Sequence, residues 1–168
     1  MADTIDRTLA RQVLAGIIAA PAHLAASTLA ELDTGDFEHW IDAAVFDALS
    51  AVTFAEHQEP GSIIAQVNRH LLDVGKYKGT DDGLRQFVVE LAQTEGHPNM
   101  LPAFTRDLIE QHFRRAMTEH AAALAEHAEI APLEEITDQL NETITELRRL
   151  WARIPVPKTL STVKETAA

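Results

Sequence analysis

Eight histidines are the first residues of this sequence to suggest chemistry, because imidazole is a common metal ligand. Three of them, His112, His120 and His127, fall in one predicted helix. No two histidines stand four residues apart and no Glu-x-x-His occurs, so the helical zinc pair and the di-iron bundle pattern are both missing. We therefore predict no metal site and interpret His120 and His127 as interface or surface residues. A sharper hypothesis places both in a dimer interface whose pairing depends on their protonation.

Catalytic groups are the second possibility, because the chain has 26 acidic residues. Acid–base catalysis needs carboxyl groups that converge in a cleft, whereas each acidic cluster here falls on a polar helix face or in a loop, as at Asp81 and Asp82. The chain has no cysteine, and no serine has a Gly-x-Ser-x-Gly setting. The nearest string to a nucleotide-binding G-x-x-x-x-G-K-[ST] motif is Gly75-Lys76-Tyr77, which lacks the earlier glycine and the hydroxyl residue. We predict no catalytic residue, no cofactor and no ATP hydrolysis.

Arginines form the one basic concentration, at Arg114, Arg115, Arg148, Arg149 and Arg153. They lie in a stretch, residues 99–154, that is itself acidic overall, with six basic against ten acidic residues. A solvated, salt-bridged face is one interpretation, and docking of an acidic partner is the other. The net charge of -12 repels a phosphate backbone, so we predict no direct nucleic-acid binding.

Composition indicates a helical protein of one domain, or one domain with an appendage. The 168 residues are 46% apolar but only 5% aromatic, with abundant Ala and Leu and little Gly or Pro. The absence of cysteine, of a basic leader and of any apolar run of about 18 residues leads us to predict a soluble, cytoplasmic protein with no membrane contact.

Two long helices are predicted within residues 103–153. Apolar residues recur every three or four positions in each, which confines them to one stripe per helix. Pro132 suits a first-turn position, and a turn at residues 129–131 would make the helices antiparallel neighbours. The first stripe consists of Ile109, Phe113, Met117, Ala121, Leu124 and Ala128, and the second of Leu133, Ile136, Leu140, Ile144, Leu147, Leu150, Trp151 and Ile154.

The preceding residues predict a globule of about five helices, at residues 3–20, 23–32, 37–54, 63–74 and 84–93. Asp36 and Ser62 are predicted as N-caps, and Trp40 as a core residue, whereas Trp151 is assigned to either core or interface. The predicted architecture is all-α, with a helical globule at residues 1–98, a long antiparallel helical hairpin at 99–154 and a flexible tail at 155–168.

The order of these helices and their motifs resembles the N-terminal domain of the bacterial replicative DNA helicase, the DnaB family. The resemblance covers residues 8–153. It rests on Val13 to Ile18 closed by Pro21, on Asp36-Phe37, on Val45-Phe46-Asp47-Ala48-Leu49, on Glu59-Pro60, on Gly83-Leu84 with Glu90-Leu91, and on Arg114-Arg115 opening the hairpin. The helicase motor is missing, so the resemblance implies either an excised collar domain or a free-standing relative of it.

In that family the domain is a helical globule with a hairpin, the hairpins pair, and the domains form a collar that engages the primase C-terminal domain. The resemblance therefore implies a non-enzymatic interaction module of DNA replication, forming a dimer or a higher ring and docking primase, helicase or a loader. The alternative is a structural or regulatory helical bundle unrelated to replication. We predict the interface at Ile109, Phe113, Met117, His120, Leu124, Leu140, Leu147 and Trp151, with Arg114 and Arg115.

Overall fold

A computed structural model describes residues 2–56, 58–77 and 82–154, with side chains from residue 8 onward. This part of the chain is all-helical, as predicted, with seven α-helices and two short 3-10 turns. The helices are α1 (Ala2–Ala19), α2 (Ala22–Glu31), α3 (Trp40–Ser50), α4 (Pro60–Asp73), α5 (Asp82–Gln93), α6 (Leu101–Ile130) and α7 (Leu133–Arg153), and the 3-10 turns are Thr34–Asp36 and Pro98–Met100. The predicted tail at 155–168 and the predicted loop residue Asp81 lie outside the described residues.

The chain divides into two compact units, Met1–His112 and Phe113–Ala168, and the division falls inside α6. The sequence instead suggested a boundary at residue 98. The first turns of α6 belong to the first unit because Leu101, Leu108 and Ile109 are buried there. Ile109, which we predicted at an interface, is only 3% exposed and so is not available to a partner.

The core of the first unit is built around α1. Val13, Leu14 and Ile17 have no exposed surface, as expected for a helix that is apolar over a wide arc. α1 contacts α2, α3, α4 and α5. An ion pair of 2.7 Å between Arg11 Nη2 and Glu90 Oε2 joins α1 to α5 at the half-exposed edge of this packing.

Two predictions around α3 are wrong. Asp36 does not cap α3; it ends the 3-10 turn, and its Oδ2 accepts a hydrogen bond of 2.7 Å from the Asp33 backbone N–H. The cap of α3 is His39, whose ring Nδ1 accepts from the Ile41 N–H at 3.3 Å. Trp40 is 49% exposed rather than a core residue, because the helix starts at Trp40 and its first turn leaves that side chain outside the buried face.

Two other helix starts also differ from prediction. α4 begins at Pro60 with Glu59 as its N-cap, so Ser62 lies inside the first turn and is not a cap. Proline is favoured at this first helical position because its fixed φ suits the helix and its missing N–H would have no intrahelical partner. Pro132 occupies the N-cap of α7 instead of its first turn. Phe46 is buried and lies against Phe37, with ring centroids 4.9 Å apart.

Candidate interaction surface

A line of exposed apolar side chains runs along α7. Leu133, Leu140, Ile144 and Trp151 are 79%, 43%, 36% and 58% exposed. At 100° per residue, these four positions fall within about 40° of one another around the helix axis. The line therefore extends over most of the length of α7 on one side.

A second side of α7 is buried. Thr143 and Leu150 are 5% and 1% exposed and lie roughly 90° around the helix from the exposed line. Thr143 Oγ1 lies 3.4 Å from His120 Nδ1 of α6, so this side is the one that meets α6. The apolar arc of α7 is thus wider than the strip that its contact with α6 covers.

Contacts between α6 and α7 occur at two levels of the second unit. The Phe113 and Trp151 rings are tilted by 58° with centroids 5.4 Å apart, a geometry that aromatic pairs favour. At the other level, His120 Nε2 lies 3.1 Å from Glu146 Oε2, while His120 Nδ1 approaches Thr143. His120 therefore lies in a polar contact within the unit, and the hypothesis that its protonation modulates pairing stays a prediction.

The other predicted interface residues have mixed positions. Met117 and Arg114 are exposed, whereas Phe113, Arg115, Leu124 and Leu147 are half-buried. Leu133 and Ile144 were not in the predicted interface, although they lie on the same line as Leu140 and Trp151. The seven-residue steps from 133 to 140 and from 144 to 151 were the signal that could have added them.

A buried carboxylate–imidazole pair, which the sequence did not predict, lies in the first unit. Asp36 Oδ1 is 2.7 Å from His112 Nδ1, and the side chains are 0% and 16% exposed. The sequence offers no signal for this contact because the two residues are 76 positions apart. The pair connects the Thr34–Asp36 turn to α6.

Other chemistry is limited within the part of the chain that the structure describes. In residues 8–56, 58–77 and 82–154, no three His, Asp or Glu side chains are grouped so as to hold a metal ion. A shallow depression of about 440 Å³ on α7 is lined by polar side chains, namely Asn141, Glu142, Thr145, Glu146 and Arg149. Burial raises the pKa of the Tyr77 hydroxyl, and the Arg85 guanidinium partly offsets this; the hydroxyl donates to Asn68 Oδ1 at 2.6 Å.

Comparison of the chain with models of protein families, with curated proteins and with solved structures finds no match. Among the described helices, none is both long and apolar enough to cross a membrane. The exposed apolar line of α7 and the charges around it are therefore the features that bear most directly on function.

Proposed function

We propose that the second unit is an antiparallel helical hairpin through which the chain associates with a second copy of itself. The order of the α6–α7 contacts supports the hairpin. Phe113, early in this part of α6, contacts Trp151 near the end of α7. His120, seven residues later in α6, contacts Glu146 and Thr143, which come earlier in α7. Contacts that run in opposite directions along two helices are those of an antiparallel pair joined by a short connection, here Ala131 and Pro132.

The single observation that carries self-association is the exposed line of α7. Two helices that pack on each other need one apolar strip each, whereas a helix with a second apolar edge commonly packs against a further neighbour. Leu140, Ile144 and Trp151 form that second edge of α7, and Met117 on α6 adds another exposed apolar side chain. Covering these side chains would stabilise a complex by about 25 cal/mol per Å², before the cost of association is subtracted.

The biological role that we propose is a non-enzymatic interaction module of DNA replication that docks primase, helicase or a loader. This part of the proposal is supported by the resemblance of residues 8–153 to the DnaB N-terminal domain. The net charge of -12 also favours a protein partner over direct contact with nucleic acid.

Size-exclusion chromatography with light scattering tests self-association. The wild-type chain should have the mass of a dimer or a larger ring, and Leu140→Glu should shift it to a monomer, because a carboxylate would be buried among apolar side chains. Asn141→Glu is the matched control, because Asn141 is the next residue along α7 and lines its polar depression. A monomeric wild type would overturn the proposal.

Isothermal titration calorimetry of the chain with a primase C-terminal domain tests the replication role separately from self-association. Saturable binding supports a primosome module. Absence of binding to primase, helicase and loader, with an intact dimer, would instead favour the structural bundle unrelated to replication.

A further inference from the structure

The second unit buries few of its side chains away from the contact between Phe113 and Trp151. Thr143 is the only buried residue in residues 117–149, all of which the structure describes. By comparison, α3 has seven buried residues among its eleven. Most of the stability of a helix in a protein comes from packing its apolar face against the rest of the fold. Residues 117–149, which we call the distal hairpin, receive little of that stabilisation within one chain.

The contact between α6 and α7 in the distal hairpin is polar. His120 Nε2 lies 3.1 Å from Glu146 Oε2, and His120 Nδ1 lies 3.4 Å from Thr143 Oγ1. Contacts of this kind at a half-exposed position contribute little net stability, because water competes for the same groups. Ala116 and Leu150, the nearest buried apolar residues, lie outside the distal hairpin. Its two helices are therefore held together weakly by their own contacts.

The middle of α7 is also poor in strong helix formers. Residues 137–145 read Thr-Asp-Gln-Leu-Asn-Glu-Thr-Ile-Thr, and six of these nine are Thr, Asp, Asn or Ile, which favour the helix less than Leu, Glu or Gln. The hydroxyls of Thr137 and Thr145 donate to the carbonyl oxygens of Leu133 and Asn141 at 2.8 Å. Such bonds to the preceding turn slightly destabilise a helix. Neither propensity nor packing within one chain thus maintains this part of α7.

We propose that the distal hairpin folds only when a second copy of the chain covers it, so that folding of this segment and association are a single step. This inference rests on the proposed self-association and adds how the contact surface forms. The stretch of α7 that is poor in helix formers contains Leu140 and Ile144, which are 43% and 36% exposed. Burying them against a second copy supplies the apolar packing that one chain lacks, and Met117 on α6 contributes in the same way.

The size of the surface suits a second copy. Residues 133–151 span about 27 Å of α7, and two packed helices of about 10 Å diameter each make a face about 20 Å wide. A two-fold contact uses this face twice and covers about 1,100 Å², which exceeds the roughly 1,000 Å² that a specific interface needs. The first unit has its own core around α1, so it stays folded whether or not the chains associate.

Hydrogen exchange followed by mass spectrometry tests the coupling directly. Wild type well above its dissociation constant should protect the amides of residues 121–149. Wild type diluted well below that constant, and the Leu140→Glu variant, should exchange these amides at least about tenfold faster. The amides of α1 should exchange equally slowly in all three samples. Glutamate is a good helix former, so the substitution does not itself unfold α7. Equal protection of the distal amides in the dimeric and both monomeric samples would overturn the inference.

A glycine substitution away from the contacts tests the same coupling through affinity. Ala122 is exposed and lies about 140° around α6 from Met117 and about 160° from His120, so it faces neither the proposed partner nor α7. Glycine lowers the folding constant of a helix about fivefold relative to alanine, and both chains must fold, so Ala122→Gly should raise the dissociation constant about 25-fold. Ala65→Gly, at an exposed position of α4, is the matched control and should leave the dissociation constant unchanged.

The outcomes separate this inference from the proposed function. If the distal hairpin were already folded in the monomer, Ala122→Gly would cost monomer and dimer equally and the dissociation constant would not change. That result with a dimeric wild type overturns only the coupled folding. A wild-type chain that is monomeric by light scattering at every concentration overturns both the coupled folding and the proposed self-association.

Discussion

The Asp36 carboxyl group is fully buried, and each of its oxygens makes a contact of 2.7 Å. One oxygen accepts the Asp33 N–H, and the other lies against His112 Nδ1. Removing one member of a buried, hydrogen-bonded pair costs more than the bond itself, because the remaining polar group keeps its burial without its partner. The pair therefore makes the Thr34–Asp36 turn and α6 energetically dependent on each other.

We expect Asp36→Ala to lower the free energy of unfolding by about 2–4 kcal/mol and His112→Ala by about 1–3 kcal/mol. The double variant should lose at least about 1 kcal/mol less than the sum, since either change alone already removes the contact. Urea unfolding of the four proteins measures this. Thr34→Ala is the control, because its exposed hydrogen bond to Asp47 should cost under about 1 kcal/mol. Additive losses would contradict an energetic coupling.

Tyr77 gives the protein a pH dependence of defined sign. Folding raises the pKa of its hydroxyl above the ordinary value of 10.0, chiefly by burial. The unfolded chain therefore loses this proton first, so the contribution of the neutral hydroxyl is complete below about pH 10 and is lost as the pH rises through the folded pKa.

Tyr77→Phe should therefore be less stable than wild type at about pH 8, by about 0.5–1.5 kcal/mol, because it lacks the hydrogen bond to Asn68. This difference should narrow at about pH 11. Urea unfolding of both proteins at the two pH values tests this. Lysine and arginine side chains also titrate at high pH, but both proteins contain the same ones, so their effect cancels from the difference in unfolding free energy. A difference that widens at high pH would contradict the direction of the shift.

At the scale of single residues, the sequence predicted the burial of side chains whose position follows from the periodicity of their own helix. It did not predict contacts between residues that are far apart in the chain. Val13, Leu14 and Ile17 are buried because the α1 pattern requires it. Asp36 looked like a local cap, and only the fold brings His112 to it. Trp40 was assigned to the core from its size and periodicity, which could not show where the first turn of α3 begins.

At the scale of helices, α1 packs closely against the backbone that precedes α6. A Cβ atom at Gly96 would collide with the Ala15 carbonyl oxygen and lie 2.7 Å from Ala19 Cβ. The Ala15 carbonyl is backbone and Ala19 Cβ is fixed to the backbone of the same helix, so neither atom can move aside easily. The close packing of Gly96 on α1 fixes the position of the Pro98–Met100 turn, which also contacts α1.

Gly96→Ala should therefore destabilise the first unit by about 1–3 kcal/mol through overpacking. Gly61→Ala is the matched control, because a Cβ there meets nothing within 4 Å in the first turn of α4. It should be neutral or stabilising by up to about 1 kcal/mol. Thermal unfolding of both variants would measure the contrast, and equal midpoints would contradict the close approach.

Helix existence and type followed from periodicity, but helix starts did not. Proline and acidic residues mark the starts of α4 and α7 in the sequence, yet several neighbouring residues could cap each helix equally well by type. Similarly, periodicity placed Leu133, Leu140 and Leu147 in one stripe without showing which edge of that stripe α6 would cover. The candidate surface became visible only when Thr143 and Leu150 were found buried and the other edge exposed.

At the scale of the whole molecule, the proposed self-association would link stability to concentration. If unfolding separates the two copies, each tenfold rise in concentration stabilises the dimer by about 1.4 kcal/mol. Two chains of 168 residues have an unfolding entropy of about 0.7 kcal/mol/K at about 2.1 cal/mol/K per residue. The transition that includes the second unit should therefore shift upward by about 2 °C per tenfold in concentration.

Differential scanning calorimetry or fluorescence between about 1 and 100 µM tests this shift. Where these concentrations exceed the dissociation constant, the midpoint should rise by about 4 °C over the hundredfold range. Trp151 on α7 contributes part of the tryptophan fluorescence, and its half-exposed ring, which lies against Phe113, would be covered further in a dimer. Trp40 in the first unit contributes the other part. Leu140→Glu should have a midpoint that does not depend on concentration, since its carboxylate would occupy the contact. Asn141→Glu should retain the full shift. A wild-type midpoint that stays constant over this range would mean that the exposed line of α7 is not covered by a second copy, because association with a folded partner raises the midpoint by mass action alone.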